Sequence, residues 1–154
     1  MEIRFATKDD IETMIDIRTK QLHDQENQDH ISKVDIEEYK LYLRDYLNKL
    51  FMENRIFQVI ISVKNEIVAT GALILMDLPP SFSNLSGHVG YITNMYTEPH
   101  HRKNGYASLV LKHLKETGDK LKIKRMILGS TISGRSVYKR FGFQEIDWYK
   151  YDLY

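Results

Sequence analysis

The most informative part of the chain is residues 92–107, which read ITNMYTEPHHRKNGYA. Its first half continues a run of β-branched and aromatic residues, so we predict a strand from His88 to Thr97. Pro99 breaks this pattern, and apolar residues then recur at helical spacing from Gly105 to about Lys120. A strand therefore leads into a basic, glycine-containing loop that begins a helix.

This loop has the features of an anion-binding site. The first N–H groups of a helix lack partners within the helix, and the helix dipole places partial positive charge there, so a pyrophosphate can bind. Gly105 allows close approach of the backbone to a phosphate, and Ala107 keeps the next turn small. Arg102 and Lys103 add full positive charges. Gly105 taken alone favours an ordinary turn; Arg102, Ala107 and the strand–loop–helix context are what favour the anion site.

The same patterns predict the other elements of the chain. Their order is β-α-α-β-β-β-α-β-α-β, which is typical of an α/β (α+β mixed) fold with a mixed sheet and helices on both faces. Besides the strand and helix above, the elements are strands at Glu2–Ala6, Ile56–Val63, Ile67–Met76, Arg125–Gly129 and Phe143–Leu153 (or two short strands there), and helices at Lys8–His23, Val34–Asn54 and Gly134–Phe141.

Composition narrows the functional classes. The 154 residues fit one domain, predicted to span 1–154, and the absence of cysteine excludes disulfides, thiolate metal sites and a cysteine nucleophile. A net charge of +1 favours neither nucleic acid nor an anionic membrane as a partner. The N-terminal residues do not resemble a signal peptide, and no apolar run approaches the roughly 20 residues that span a bilayer. We therefore expect a soluble cytoplasmic protein.

Two motifs resemble the signatures of one enzyme family. Arg102-x-x-Gly105-x-Ala107 matches the Arg/Gln-x-x-Gly-x-Gly/Ala motif that binds the pyrophosphate of CoA in the GNAT superfamily of N-acetyltransferases. Residues 134–143, GRSVYKRFGF, are similar to its second signature, a tyrosine followed by a charged pair and then Leu/Phe-Gly-Phe. The element order and the chain length also resemble this family.

The resemblance implies a mixed, mostly antiparallel central sheet and a reaction in which the acetyl group of acetyl-CoA is transferred to a primary amine. The amine attacks directly in a ternary complex, without a metal. Tyr138 occupies the position of the family's general acid, which protonates the departing thiolate. The other implied site residues hold CoA. The backbone of Met95, Tyr96 and Thr97 pairs with the pantetheine arm and offers an N–H to the thioester oxygen, and Thr131 replaces an asparagine that often contacts the arm. The residues implied to bind the pyrophosphate are Arg102, Lys103, Asn104, Gly105, Tyr106, Ala107 and Ser108.

The identity of the general base is undecided, because no Asp or Glu lies between Gly87 and Thr97, where many members of the GNAT superfamily carry a glutamate. His88 is the nearest titratable residue in the sequence, and a water chain is the alternative. The missing carboxylate also keeps a second function open, a non-catalytic acyl-CoA-binding sensor or regulatory domain. A nucleotide-binding module is disfavoured, because the loop lacks both the P-loop ending and the three-glycine fingerprint.

Several other residues have both a functional and a structural interpretation. The acceptor is unidentified, and an acidic segment at Asp24, Glu26 and Asp29 either favours a cationic acceptor or is simply solvated. The C-terminal aromatic residues Trp148, Tyr149, Tyr151 and Tyr154 either line the acceptor site, form a dimer contact or pack in the core. The oligomeric state stays open, with a homodimer as one candidate.

Overall fold

The computed structural model describes residues 1–25 and 35–146. Strands and helices follow one another in the predicted order, from the first strand to the short helix at Arg135–Arg140. They are β1 (Glu2–Phe5), α1 (Ile11–Gln25), α2 (Ile36–Met52), β2 (Ile56–Val63), β3 (Glu66–Asp77), β4 (His88–Thr97), α3 (Tyr106–Lys120), β5 (Met126–Leu128) and α4 (Arg135–Arg140).

The five strands form one sheet in the order β1-β2-β3-β4-β5. The first three pairings are antiparallel and only β4–β5 is parallel, which confirms the mixed, mostly antiparallel sheet. The prediction of a strand from Phe143 to Leu153 is wrong for its first part, because residues 143–146 follow α4 as irregular backbone without a strand partner. The remainder of that strand lies outside the described residues.

Helices cover both faces of the sheet, and each face has its own apolar core. Side chains alternate along β2, so that Val59 and Ile61 pack beneath α3 while Ile56 packs with α1 and α2. The core on the α3 side is Val59, Ile61, Val68, Ala69, Leu73, Ile92, Val110, Leu111 and Leu114. The core on the α1–α2 side is Ile11, Met14, Ile15, Leu47, Leu50, Ile56, Ala72 and Ile74.

Local turn chemistry explains where several elements begin and end. The β2–β3 hairpin turns on Lys64 and Asn65, whose φ angles of 51° and 65° match a two-residue type I′ turn. Asp10 accepts a 2.8 Å hydrogen bond from the Thr7 N–H, the bond that a capping box requires. The first helix begins at Ile11 instead of Lys8, because residues 8–10 form a tighter 3₁₀ turn. Gly142, at φ 86°, follows the end of α4, where a residue in the left-handed region often ends a helix.

One exposed side chain departs from the predicted core. Helical spacing in the sequence predicts an apolar face of α2 made of Ile36, Tyr39, Leu43, Tyr46, Leu47 and Leu50, yet Tyr46 is 48% exposed, while Leu47 and Leu50 are buried. A tyrosine can leave its ring half in solvent because its hydroxyl is hydrated there.

β4 contains a bulge, and one of its edges is partly unpaired. Thr93 pairs with Ala72 of β3, but the next paired residue, Tyr96, faces Thr70, so two residues of β4 lie opposite Gly71 alone. This is a β-bulge at Asn94 and Met95, and Asn94 has a positive φ of 54°. On the other side, β5 pairs with β4 only as far as Ile92. In the described part of the chain, the β4 edge beyond Ile92 has no neighbouring strand.

Candidate active site

A cleft of about 200 Å³ lies where β4 and β5 separate. Its walls come from α1, the bulged part of β4, the segment after β5 and the helix α4. The residues that line it are Arg18, Gln21, Tyr91, Ile92, Thr93, Asn94, Met95, Gly129, Thr131 and Tyr138. The fold therefore brings together three residues that the sequence motifs single out, Met95, Thr131 and Tyr138.

The backbone of the β4 edge is held by side chains from its neighbours. The carbonyl of Met95 accepts a 3.1 Å hydrogen bond from Nε2 of Gln21, and the carbonyl of Thr97 accepts a 3.1 Å bond from Nε of Arg102. A carbonyl oxygen has two lone pairs, so each retains one acceptor position. The side chain of Met95 packs against Gly71 on the α3 side of the sheet, where the glycine leaves room for it.

The side chain of Tyr96 does not line the cleft. Its ring is buried, and its hydroxyl donates a 2.9 Å hydrogen bond to Oδ2 of Asp24 in the last turn of α1. Burial, followed by the hydrogen bond to Asp24, raises the pKa of Tyr96 far above its usual value. This phenol stays protonated and ties β4 to α1.

The basic loop leads from β4 into α3 with two residues in the left-handed region. Lys103 has φ 66° and Gly105 has φ 83°, and α3 begins at the next residue, Tyr106. Arg102 turns back toward the strand, since its Nη2 lies 3.8 Å from Oδ2 of Asp24 and its Nε contacts Thr97. The guanidinium thus fixes the loop against α1 and β4.

The other predicted phosphate-binding residues follow this bend. Lys103, Asn104 and Gly105 are exposed, with Nδ2 of Asn104 donating a 3.2 Å hydrogen bond to the carbonyl of His101. Tyr106, Ala107 and Ser108 form the half-buried first turn of α3. The first N–H groups of a helix have no acceptor within the helix, so those of this turn are free of intrahelical bonds.

Tyr138 is half-buried in the wall of the cleft. Its ring meets Phe143 edge to face, with 6.1 Å between the ring centroids. Gly134 leaves space for this ring, because a Cβ there would lie 3.0 Å from Cε2 of Tyr138 and 3.5 Å from Oγ1 of Thr131. Burial raises the pKa of Tyr138, so the phenol keeps its proton at neutral pH.

The structure does not bring His88 to this cleft. His88 begins β4, and its Nδ1 lies 2.7 Å from Oδ1 of Asp77 at the other end of the strand. His88 and Thr93 are five positions apart, a distance of about 16 Å along a strand. Among the residues that the structure describes, no Asp or Glu lines the cleft either.

Of the three acidic residues Asp24, Glu26 and Asp29, the structure describes Asp24. Asp24 belongs to the last turn of α1, not to a loop, and it contacts Tyr96 and Arg102. Glu26 and Asp29 lie outside the described residues, as do the C-terminal aromatic residues Trp148, Tyr149, Tyr151 and Tyr154. Within residues 1–25 and 35–146, no helix has the length and hydropathy needed to cross a membrane. No cluster of three or more metal-ligand side chains occurs there.

Two polar residues of the site escaped the sequence analysis, Arg18 and Gln21. The apolar stripe of α1 runs through Ile11, Met14 and Ile15, and Arg18 and Gln21 continue it at helical spacing. Gln21 is only 4% exposed. A polar residue on the buried stripe of a helix is the signal that would have identified both.

Comparison with known proteins identifies the family. Residues 18–143 match the family described as acetyltransferase (GNAT) family. This chain belongs to the GNAT acetyltransferases. A predicted acetyltransferase from Clostridium acetobutylicum, crystallised with acetyl-CoA, is 36% identical, with a TM-score of 0.89 over 99% of this chain and 96% of that one.

More distant GNAT structures share the fold. A GCN5-related N-acetyltransferase from Ralstonia eutropha JMP134 is 20% identical, with a TM-score of 0.86 over 99% of this chain and 97% of that one. Glucosamine-6-phosphate N-acetyltransferase from Arabidopsis thaliana is 17% identical, with a TM-score of 0.69 over 97% of each chain. No curated protein is significantly similar in sequence. Membership of the GNAT family and a relative with bound acetyl-CoA support an acetyl-transferring enzyme.

Proposed function

We propose that residues 1–154 form one N-acetyltransferase domain, which transfers the acetyl group of acetyl-CoA directly to a primary amine in a ternary complex. The observation that carries this proposal is the open edge of β4. The bulge at Asn94 and Met95 interrupts the register with β3, and β5 leaves the opposite edge of β4 unpaired beyond Ile92. An extended ligand with amide groups can add to such an edge as a strand does.

The proposed position of acetyl-CoA follows from this edge. The pantetheine arm lies along Met95, Tyr96 and Thr97, with Thr131 on the opposite wall, and the pyrophosphate lies on the bend from Arg102 to Ser108. An N–H near Met95 would bind the thioester oxygen, on which negative charge develops during attack. Because the cleft adjoins this N–H, the acceptor amine would enter through the cleft.

Tyr138 is proposed as the proton donor to the departing thiolate. It lines the same cleft as Met95, and its raised pKa keeps it neutral, which a proton donor requires. No described carboxylate is placed to accept the proton of the ammonium, and His88 lies at the other end of β4. We therefore propose that water accepts this proton, and that orientation of the amine against the thioester supplies much of the rate.

The test measures CoA release from acetyl-CoA with a panel of primary amines, for the wild type and Tyr138→Phe. The variant is expected to bind acetyl-CoA normally and to lose turnover. The loss should fall near the lower end of the ~10²–10⁴-fold range of general acids, because a thiolate leaves readily. Tyr42→Phe is the matched control, since Tyr42 is 70% exposed on α2 and lies outside the cleft. Equal turnover in Tyr138→Phe would remove this residue from the mechanism.

The second candidate is a non-catalytic acyl-CoA-binding domain, which the absence of a described carboxylate in the cleft favours. The same assay separates the two. Amine-dependent CoA release supports the enzyme, whereas acetyl-CoA binding without release for any amine supports the sensor.

A further inference from the structure

Arg18 places a positive charge in the wall of the proposed acceptor cleft. It lies on α1, is half-buried, and lines the cleft together with Met95 and Tyr138, beside which the thioester would react. The motifs of the CoA site do not include it. Its position is therefore that of a residue that contacts the acceptor.

The guanidinium of Arg18 is held in a fixed position by a short chain of hydrogen bonds. Its Nη1 donates a 2.9 Å bond to Oε1 of Gln21, whose Nε2 donates a 3.1 Å bond to the carbonyl of Met95. Only this orientation of the amide satisfies both partners, because the guanidinium must donate and the carbonyl must accept. Gln21 is buried, so the chain cannot rearrange easily and Arg18 is oriented before any ligand binds.

The charge of Arg18 is not balanced by the protein in the described part of the chain. Arg4 and Arg44 form close ion pairs with Asp10 and Glu12, at 2.7 and 2.6 Å. Arg18 has only the neutral amide of Gln21 as its partner among the described residues. A guanidinium has five N–H donors, so several remain to bind a ligand.

We propose that Arg18 binds an anionic group of the acceptor, so that preferred acceptors carry a carboxylate or a phosphate besides the reacting amine. This inference rests on the proposed acetyl transfer. A guanidinium binds both anions through paired, charge-assisted hydrogen bonds. An acceptor whose only charges are ammonium groups would meet a like charge in this wall. The acidic segment of the sequence suggests a cationic acceptor, but Asp24, its described member, already contacts Tyr96 and Arg102.

The experiment compares kcat and KM for matched pairs of amines. One pair is an amino acid and its carboxamide, and the other is 2-aminoethyl phosphate and ethanolamine. The wild type is expected to prefer the anionic member of at least one pair, and the pair that responds shows which anion binds. Arg18→Met should raise KM for that acceptor about 10–100-fold, while kcat and the KM for acetyl-CoA change little. Arg18→Lys should restore part of the preference.

Arg125→Met is the matched control, since Arg125 is exposed, contacts Ser83 and lies outside the cleft. It should behave as the wild type. Transfer without any preference for anionic amines, or a preference that survives Arg18→Met, overturns this proposal alone. Transfer to no amine by the wild type overturns the proposed function, and this proposal with it.

Discussion

Gly71 is the residue whose substitution should disturb the bulge of β4 most directly. It is buried on β3, opposite Asn94 and Met95. In Gly71→Ala, the new Cβ would overlap the Sδ of Met95 and lie 2.6 Å from Cγ1 of Val110. Met95 must move to relieve the first contact, and because Val110 is β-branched and buried in α3, the second contact also requires β3 or α3 to shift. Because Met95 belongs to the proposed CoA edge, both stability and acetyl-CoA binding should suffer.

The expected magnitude follows from overpacking. An extra methyl group in a well-packed core costs about 1–3 kcal/mol, and about 2–4 °C of Tm is lost per kcal/mol in a domain near this size, so Tm should fall by about 2–12 °C. Thermal unfolding with and without acetyl-CoA measures both effects. Gly129→Ala is the stability control, because no atom lies within 4 Å of the Cβ that it would add. An unchanged Tm together with an unchanged response to acetyl-CoA would refute the packing argument.

Two further predictions concern the Arg4–Asp10 ion pair beside β1 and Gly105 at the start of α3. The hydrogen-bonded guanidinium of Arg4 lowers the pKa of Asp10 from 3.8 to about 2, so this pair stabilises the fold above pH 3.8, and the contribution disappears as the pH falls through about 2. Asp10→Asn should therefore lower the free energy of unfolding at pH 7 by about 1–2 kcal/mol after solvent screening. Urea unfolding over a pH series measures the difference between the wild type and the variant, and a difference that is as large near pH 2 as at pH 7 would contradict the prediction. Gly105→Ala should cost about 1–2 kcal/mol from its φ of 83°, since open space surrounds the added Cβ, and should weaken acetyl-CoA binding. Gly105→Asn, which tolerates this conformation better, should lose less in both measurements, and equal losses would exclude backbone strain as the cause.

The elements of this fold were predictable because their signals are local. The runs of β-branched and apolar residues in β2 and β3, and the two-residue turn between them at Lys64 and Asn65, depend on neighbouring residues only. The start of α3 after Gly105 follows from one glycine and a helical apolar pattern. Such signals do not depend on what a segment later packs against.

The geometry of the site was less predictable because it depends on distant contacts. The bulge at Asn94 and Met95 is a matter of register against β3, which the residues of β4 alone do not specify. Gln21 contacts Met95, 74 positions along the chain, and no local pattern indicates that pair. His88 is near the motif in sequence but far from the cleft, because an extended strand carries five residues about 16 Å.

The central claim is that the β4 edge and the bend before α3 bind acetyl-CoA. Thermal unfolding of the wild type with acetyl-CoA, and separately with ATP, tests it most directly. Acetyl-CoA at 100 times its Kd adds about 2.7 kcal/mol, which corresponds to a Tm increase of about 5–10 °C at this size. We predict this increase with acetyl-CoA and none with ATP. No change at millimolar acetyl-CoA, or an equal increase with ATP, would contradict the account.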